Sequence, residues 1–355
     1  MKILYIALKH EYGDPNKGLS YAYYNGYDAL RYMGNEYQVV FFPYDELLYK
    51  FGQEKMNEML LEAVKNENPD LCFFSLFNDE IYKETIKKIS DSGKTITFNW
   101  FADDKWRFHN FTKHWAPLFN WVSTDQKSSV KDYQKIGYKN VVVGCWGCNQ
   151  RIFKPLSLEK VYDVSFVGQA YGPRITLVKK LKKAGINIEC FGNGWPNGRV
   201  SQEKMIEIFS QSKINLNFTE RRGVTPLYLS KIFFAKKNGK ITLHYPNQWL
   251  DNAKSVFAEL QNEIKGRNFE IPGCKAFMIT GNAENLEDYY VFDKEIVVYE
   301  NANDLIKKIK YYLNHPEERA KIEEAGYQRT INEYTYEKIF KKIFNQIVPK
   351  HGATL

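Results

Sequence analysis

Short apolar runs alternate along the chain with stretches in which apolar residues return every three or four positions. In the first half, Ile3–Leu8, Gln38–Phe42, Asp70–Ser75, Thr95–Trp100, Trp121–Ser123 and Val141–Gly144 read as strands. Between them, segments such as Asn57–Lys65 and Tyr82–Ile89 carry helix-period apolar positions. Strand and helix in alternation predict a mostly parallel, doubly wound sheet, an α/β architecture.

After Lys154-Pro155 the pattern restarts. Asp163–Gly168 reads as a strand ending in glycine, and Pro173 suits the first position of a helix with Ile175, Val178 and Leu181 turned inward. Ile186–Phe191, Ile214–Phe218, Ala276–Thr280 and Glu295–Tyr299 supply further strands. Near the end, Tyr334–Val348 is a helix-period stretch with Tyr336, Ile339, Phe340 and Phe344 on one side. The chain therefore reads as two Rossmann-like units, residues 1–156 and 157–333, followed by a terminal helical segment, 334–355. Ligands of such sheets bind at the carboxyl ends of the strands, so a cleft between the units is the expected active site.

Composition agrees with this division. A chain of 355 residues exceeds one ordinary core, and 44% hydrophobic with 26% charged residues is a globular balance. No apolar run reaches the roughly 18 residues that span a bilayer, and Ile3–Leu8 lacks the features of a signal peptide, so a cytoplasmic protein is expected. The five cysteines, an odd number spread along the chain, fit a reducing compartment. Cys145 and Cys148 have neither the helix start of a redox pair nor a second pair for zinc, and they read as cysteines ending a strand. Net charge is +8, and Arg221 to Lys265 holds eight Lys/Arg against three acids, an excess of five. That segment interrupts the strand and helix alternation and suggests contact with an acceptor or an anionic surface.

Three places carry candidate chemistry. Arg267 precedes Glu270 by three residues, one side of a helical turn, so that one group can meet a diphosphate while the other accepts both hydroxyls of a ribose. The turn from Gly168 to Arg174 can present N–H groups and a guanidinium to phosphates, and Gly192 with Asn193 ends the next strand where close backbone approach to a base is possible. In the first unit Asp103 and Asp104 follow a strand; one carboxylate can take a proton from an acceptor hydroxyl, or one or both can cap the next helix. His10, His109 and His114 are alternative bases.

The stretch Lys265–Cys274, with Glu295–Tyr299 and the run Tyr311 to Gly326, resembles the C-terminal domain of family 1-type glycosyltransferases, notably the CgeB-like group, over about residues 160–340. The resemblance implies a GT-B fold, a nucleotide-sugar donor whose ribose is held by Glu270, and a last helix crossing back onto the N-terminal domain. Lys275, where that family commonly has glycine, and the basic insertion depart from it. The Gly168 turn, the Cys190–Trp195 segment and the surroundings of Asp103 are also similar to phage DNA β-glucosyltransferase. That similarity implies a diphosphate near the glycine turn and Arg174, and Asp103 as catalytic base. Together these imply transfer of a sugar from a nucleotide-sugar, a UDP-sugar, to a hydroxyl acceptor that is a glycan, protein, lipid or DNA. No tightly bound cofactor and no metal are expected. A UDP-sugar 2-epimerase of the same fold, and a non-enzymatic binder of nucleic acid or an anionic surface, are the competing readings.

Overall fold

A computed structural model of the protein describes residues 1–144, 146–219, 225–237 and 240–348, with the side chains of Lys236, Lys237 and Lys240 outside the description. Cys145, Arg221 and Arg222, singled out above, also lie outside the described residues. The described residues of Met1–Cys145 and Tyr336–Leu355 form one compact unit and those of Trp146–Thr335 the other.

The first unit is built on six parallel strands: β1 (Lys2–Ala7), β2 (Gln38–Pro43), β3 (Leu71–Ser75), β4 (Ile96–Trp100), β5 (Trp121–Thr124) and β6 (Val141–Val143), in the order β2-β1-β3-β4-β5-β6. The strands read as unbroken apolar runs because both faces are covered. Along β1 the pleat sends Leu4 and Ile6 into one core with Tyr44, Met56, Leu60 and Ile86, and Ile3, Tyr5 and Ala7 into another with Leu30, Phe73 and Phe98. The second core is closed by helix Tyr336–Ile347, whose Tyr336, Ile339, Phe340, Ile343, Phe344 and Ile347 are all buried. Phe340 meets Trp100 at 5.5 Å between ring centroids, and Tyr336 meets it at 5.9 Å. This terminal helix thus braces the last residue of β4, immediately before the Asp103 loop.

The second unit carries β7 (Tyr162–Val167), β8 (Ile188–Phe191), β9 (Ser212–Asn217), β10 (Phe234–Lys237), β11 (Lys240–Leu243), β12 (Met278–Gly281) and β13 (Val297–Tyr299). Five of them form a parallel sheet in the order β13-β12-β9-β7-β8; β10 and β11 pair separately as an antiparallel hairpin. Read from each unit's first strand, both sheets have the second strand on one side and the third on the other. The chain reverses its winding there, β1 against β3 and β7 against β9, and the carboxyl end of that junction is where such sheets take ligands.

The expected strands are all present, with ends shifted by one or two residues. Ile186 is the instructive shift. Gly185 turns left-handed at φ +80° after helix Gly172–Lys183, and the Ile186 N–H reaches back to the Leu181 carbonyl at 3.1 Å. Ile186 therefore closes the helix, and the strand begins at Ile188. On that helix Val178 and Leu181 are buried as expected, and Leu177 joins the core rather than Ile175. Among the described residues no helix is long and apolar enough to cross a membrane.

Candidate active site

The carboxyl edge of the second sheet gathers the residues that the sequence singled out there. Arg174 lies in the first turn of helix Gly172–Lys183 and sends Nη2 to the Phe218 carbonyl at 2.9 Å and Nη1 to the Gln169 carbonyl at 3.3 Å. Its guanidinium therefore spans the ends of β7 and β9 at the winding reversal, and it stacks 4.3 Å from the Tyr171 ring. No side chain caps that helix, which begins Gly172-Pro173, so its first-turn dipole is directed at the same edge.

Gly168 and Gly192 bring two loops together. Gly168 donates to the Phe191 carbonyl at 2.8 Å, Ala170 donates to the Asn193 carbonyl at 2.8 Å, and Trp195 Nε1 donates to the Gly168 carbonyl at 2.9 Å. A Cβ on Gly192, whose φ is +128°, would stand 2.3 Å from the Gly168 oxygen. The close approach read from the sequence is thus made by the neighbouring turn; Asn193 contributes its backbone to it, with its side chain exposed. Gly192→Ala is expected to lower stability by about 1–3 kcal/mol through strain and separation of the two loops, measurable by urea unfolding.

Arg267 and Glu270 open helix Arg267–Gly273 and form an ion pair through Nη1 and Oε2. Glu270 is wholly buried and Arg267 is 29% exposed, so the guanidinium covers the carboxylate. The other carboxylate oxygen, Oε1, is buried without a hydrogen-bond partner among the described residues. Such an atom costs about 1–3 kcal/mol unless something bonds it. Lys275, standing where glycine was expected, takes a left-handed φ of +52°, so the glycine-like conformation is kept; its ammonium pairs with Glu324.

The sequence reading missed what pins this helix. Asn217 at the end of β9 donates to Asn268 Oδ1 at 3.0 Å and to Thr280 Oγ1 at 3.0 Å, and Asn268 Nδ2 donates to Thr280 Oγ1 at 3.2 Å. All three side chains are buried. They tie the start of the Arg267–Glu270 turn to β9 and β12, and the two asparagines, Asn215 and Asn217, in so short a strand were the signal available. Behind the helix, Cys148 packs so closely that a Cβ on Gly273 would meet its Sγ at 2.4 Å. Burial, then nearby Cys274, raises the Cys148 thiol, a packing role; it follows β6 rather than ending it.

In the first unit Asp103 and Asp104 follow β4 and take different environments. Asp103 sits at φ +60°, ψ +28°, a left-handed conformation uncommon outside glycine, and precedes helix Asp104–Arg107 without a side-chain cap bond. Its carbonyl accepts from the Trp106 and Arg107 amides at 3.2 and 3.1 Å. Asp104 is buried, accepting hydrogen bonds from Thr112 Oγ1 at 2.7 Å and from the Tyr133 hydroxyl, while its own amide donates to Asp125 at 3.2 Å. Burial, and then the charge of Asp125, push the Asp104 carboxyl up to about 7. Burial lowers the Arg107 guanidinium, and the charges of Asp103, Asp104 and Glu80 oppose that shift.

Of the histidines, His10 follows β1 at the same carboxyl edge. Its backbone amide donates to Asp45 Oδ2 at 2.9 Å, and its Nδ1 lies 3.3 Å from the same oxygen. His109 lies in a π-helical turn, Phe108–Thr112, with its ring edge-on to Phe108 at 5.5 Å, and His114 lies in the next turn, Lys113–Trp115.

Residues 174–345 match a protein-family model described as glycosyl transferase-like. The chain is 25% identical over 255 residues to the spore protein CgeB of Bacillus subtilis, covering 71% of this chain and 75% of the relative. In three dimensions it is similar to a sucrose-phosphate synthase from Thermosynechococcus elongatus, with TM-score 0.62, 11% identity and 98% of each chain covered. It is also similar to a glycosyltransferase from Rickettsia africae, with TM-score 0.60, 13% identity, and 98% and 99% coverage. The Anabaena protein HepE in complex with UDP-glucose aligns with TM-score 0.59 and 10% identity, over 97% of this chain and 98% of that one.

Proposed function

Because this chain is a glycosyltransferase of the GT-B, family 1 type, we propose that it transfers the sugar of a UDP-sugar to a hydroxyl acceptor, holding the donor on its second unit and the acceptor on its first. The observation that carries the donor assignment is the Arg267–Glu270 pair with a buried carboxylate oxygen that has no hydrogen-bond partner among the described residues. A ribose 2′,3′-diol supplies two donors to a carboxylate, and the diphosphate offers Arg267 an anionic partner in exchange for the carboxylate it now covers. Arg174 and the uncapped helix start at Gly172 add positive potential at the winding reversal, where a leaving diphosphate is stabilised. HepE, whose structures hold UDP and UDP-glucose, supports a uridine donor.

In the transfer, the acceptor oxygen attacks the anomeric carbon and the bond from that carbon to the β-phosphate oxygen breaks. The electron pair leaves with UDP. Asp103 takes the acceptor proton; its place just past the carboxyl end of β4 and its strained backbone are what a carboxylate placed for chemistry would show. The acceptor is a glycan, protein, lipid or DNA hydroxyl, and the basic segment Arg221 to Lys265 stands outside the donor site on this reading.

Glu270→Ala is expected to weaken UDP binding about ten- to a hundredfold, the equivalent of roughly 1.5–3 kcal/mol for hydrogen bonds to a charged group. Calorimetric titration with UDP measures it. Unchanged affinity in a folded variant would remove Glu270 from the donor site.

A further inference from the structure

The segment between β9 and helix Arg267–Gly273 folds as a small body of its own: helix Pro226–Leu229, the hairpin of β10 and β11, and helix Trp249–Ala258. It is knit internally. Trp249 Nε1 donates to the His244 carbonyl at 3.0 Å, Asn252 donates to the Ile232 carbonyl at 3.2 Å, and Phe233 meets Trp249 edge-on at 5.1 Å. Yet large apolar side chains point out of it. Leu227 is 83% exposed, Ile241 72%, Leu243 63%, Tyr245 76%, Leu250 67% and Phe257 56%. Single exposed apolar residues are ordinary, but this concentration in one short segment marks an interaction surface. The strand register sets Phe234 directly opposite Leu243, and Ile241 is two residues along from Leu243, so one face of the hairpin carries all three.

Charge selects the partner. The segment from Arg221 to Lys265 has eight cations and three acids. Each acid already meets a lysine within it: Glu259 with Lys231 at 3.7 Å, Asp251 with Lys254 at 3.9 Å, and Glu263 with Lys265 at 2.9 Å. An excess of five positive charges opposes pairing with a second copy of the same surface. Nucleic acid would match the charge but leave the aliphatic side chains in water. A surface that is negative outside and apolar a few ångströms beneath satisfies both.

We infer that this body docks on the surface of a bilayer containing anionic phospholipid, with Ile241, Leu243 and Leu250 entering the headgroup layer and the segment's excess positive charge drawn to lipid phosphates. The inference goes beyond the transfer reaction and is tested without donor or acceptor. The full-length protein is sedimented with large unilamellar vesicles of phosphatidylglycerol and phosphatidylcholine, and with phosphatidylcholine alone. It should pellet with the anionic vesicles, release as salt rises, and need at least about tenfold more lipid on neutral vesicles. A triple Ile241→Ser, Leu243→Ser, Leu250→Ser variant and, separately, Lys236→Gln, Lys237→Gln, Lys240→Gln should each show the same loss, with melting temperature and UDP affinity kept. The inference is overturned if the wild type stays in the supernatant, if both variants pellet like wild type, or if light scattering shows a dimer that the serine variant dissociates. Failure of UDP binding by the wild type would count against the donor assignment alone.

Discussion

Asp103→Asn is expected to fold, bind UDP with wild-type affinity and lose sugar transfer by at least about a hundredfold. The substitution isolates charge. Asp103 holds a left-handed backbone, and asparagine tolerates that conformation as well as aspartate does, so no strain is added. The side chain makes no cap bond to the following helix, so no cap is lost. Apart from its charge toward Arg107, what the variant loses is the capacity to accept a proton, which contributes typically 10² to 10⁴ in rate. Initial rates at saturating donor and acceptor decide it: kcat should fall while the KM for donor holds. Turnover close to wild type would pass the role to His10, which sits at the same sheet edge with Nδ1 toward Asp45 and Nε2 on the far side of the ring. In that case His10→Ala should carry the loss.

Both sheets were legible in the sequence because a doubly covered parallel strand must be apolar on both faces. Ile3–Leu8 announces β1 without any need to know which residue faces which core. The terminal helix was legible for a related reason, since Tyr336, Ile339, Phe340 and Phe344 recur at helical spacing and all are buried. The hairpin of β10 and β11 was not read. Its strands expose their apolar residues, so no burial pattern distinguishes them, and the only local signal was the Asn238-Gly239 dipeptide, which lies outside the described residues.

At the candidate site, residue type was legible and partnership was not. Arginine three before glutamate fixes that Arg267 and Glu270 share a helical side, but which of them covers the other depends on burial set by β9 and β12. Gly192 was recognised as permitting a close approach, yet only the folded loops show that the approaching group is the Gly168 carbonyl. Asn217, Asn268 and Thr280 lie far apart in sequence, and their mutual bonding arises only when two strands and a helix start converge. The two aspartates after β4 likewise differ by environment alone. One has an exceptional backbone; the other is sealed beneath Thr112 and Tyr133.

That seal gives Asp104 a measurable signature. Its carboxyl is pushed from an ordinary 3.8 up to about 7, first by burial and then by Asp125, against the opposing hydrogen bonds of Tyr133, Thr112 and Thr124. The folded protein therefore keeps a proton that the unfolded chain surrenders above about pH 4. Stability from this group is complete below pH 4, declines as pH rises towards 7 and levels off beyond, a total of about 4 kcal/mol. Asp104→Asn cannot titrate, and the amide stays neutral beside Asp125 at every pH. The unfolding free energy of the variant minus that of wild type should thus move in the variant's favour by about 4 kcal/mol between pH 4 and pH 8, because all other groups titrate in both proteins. Urea unfolding at half-unit pH steps measures the difference. Parallel curves would mean that Asp104 is ionised in the folded state throughout the range. Transfer by Asp104→Asn at pH 6 should stay within a few-fold of wild type, since its carboxyl is turned to Thr112 and Tyr133; a loss as large as that of Asp103→Asn would place the proton acceptor at Asp104.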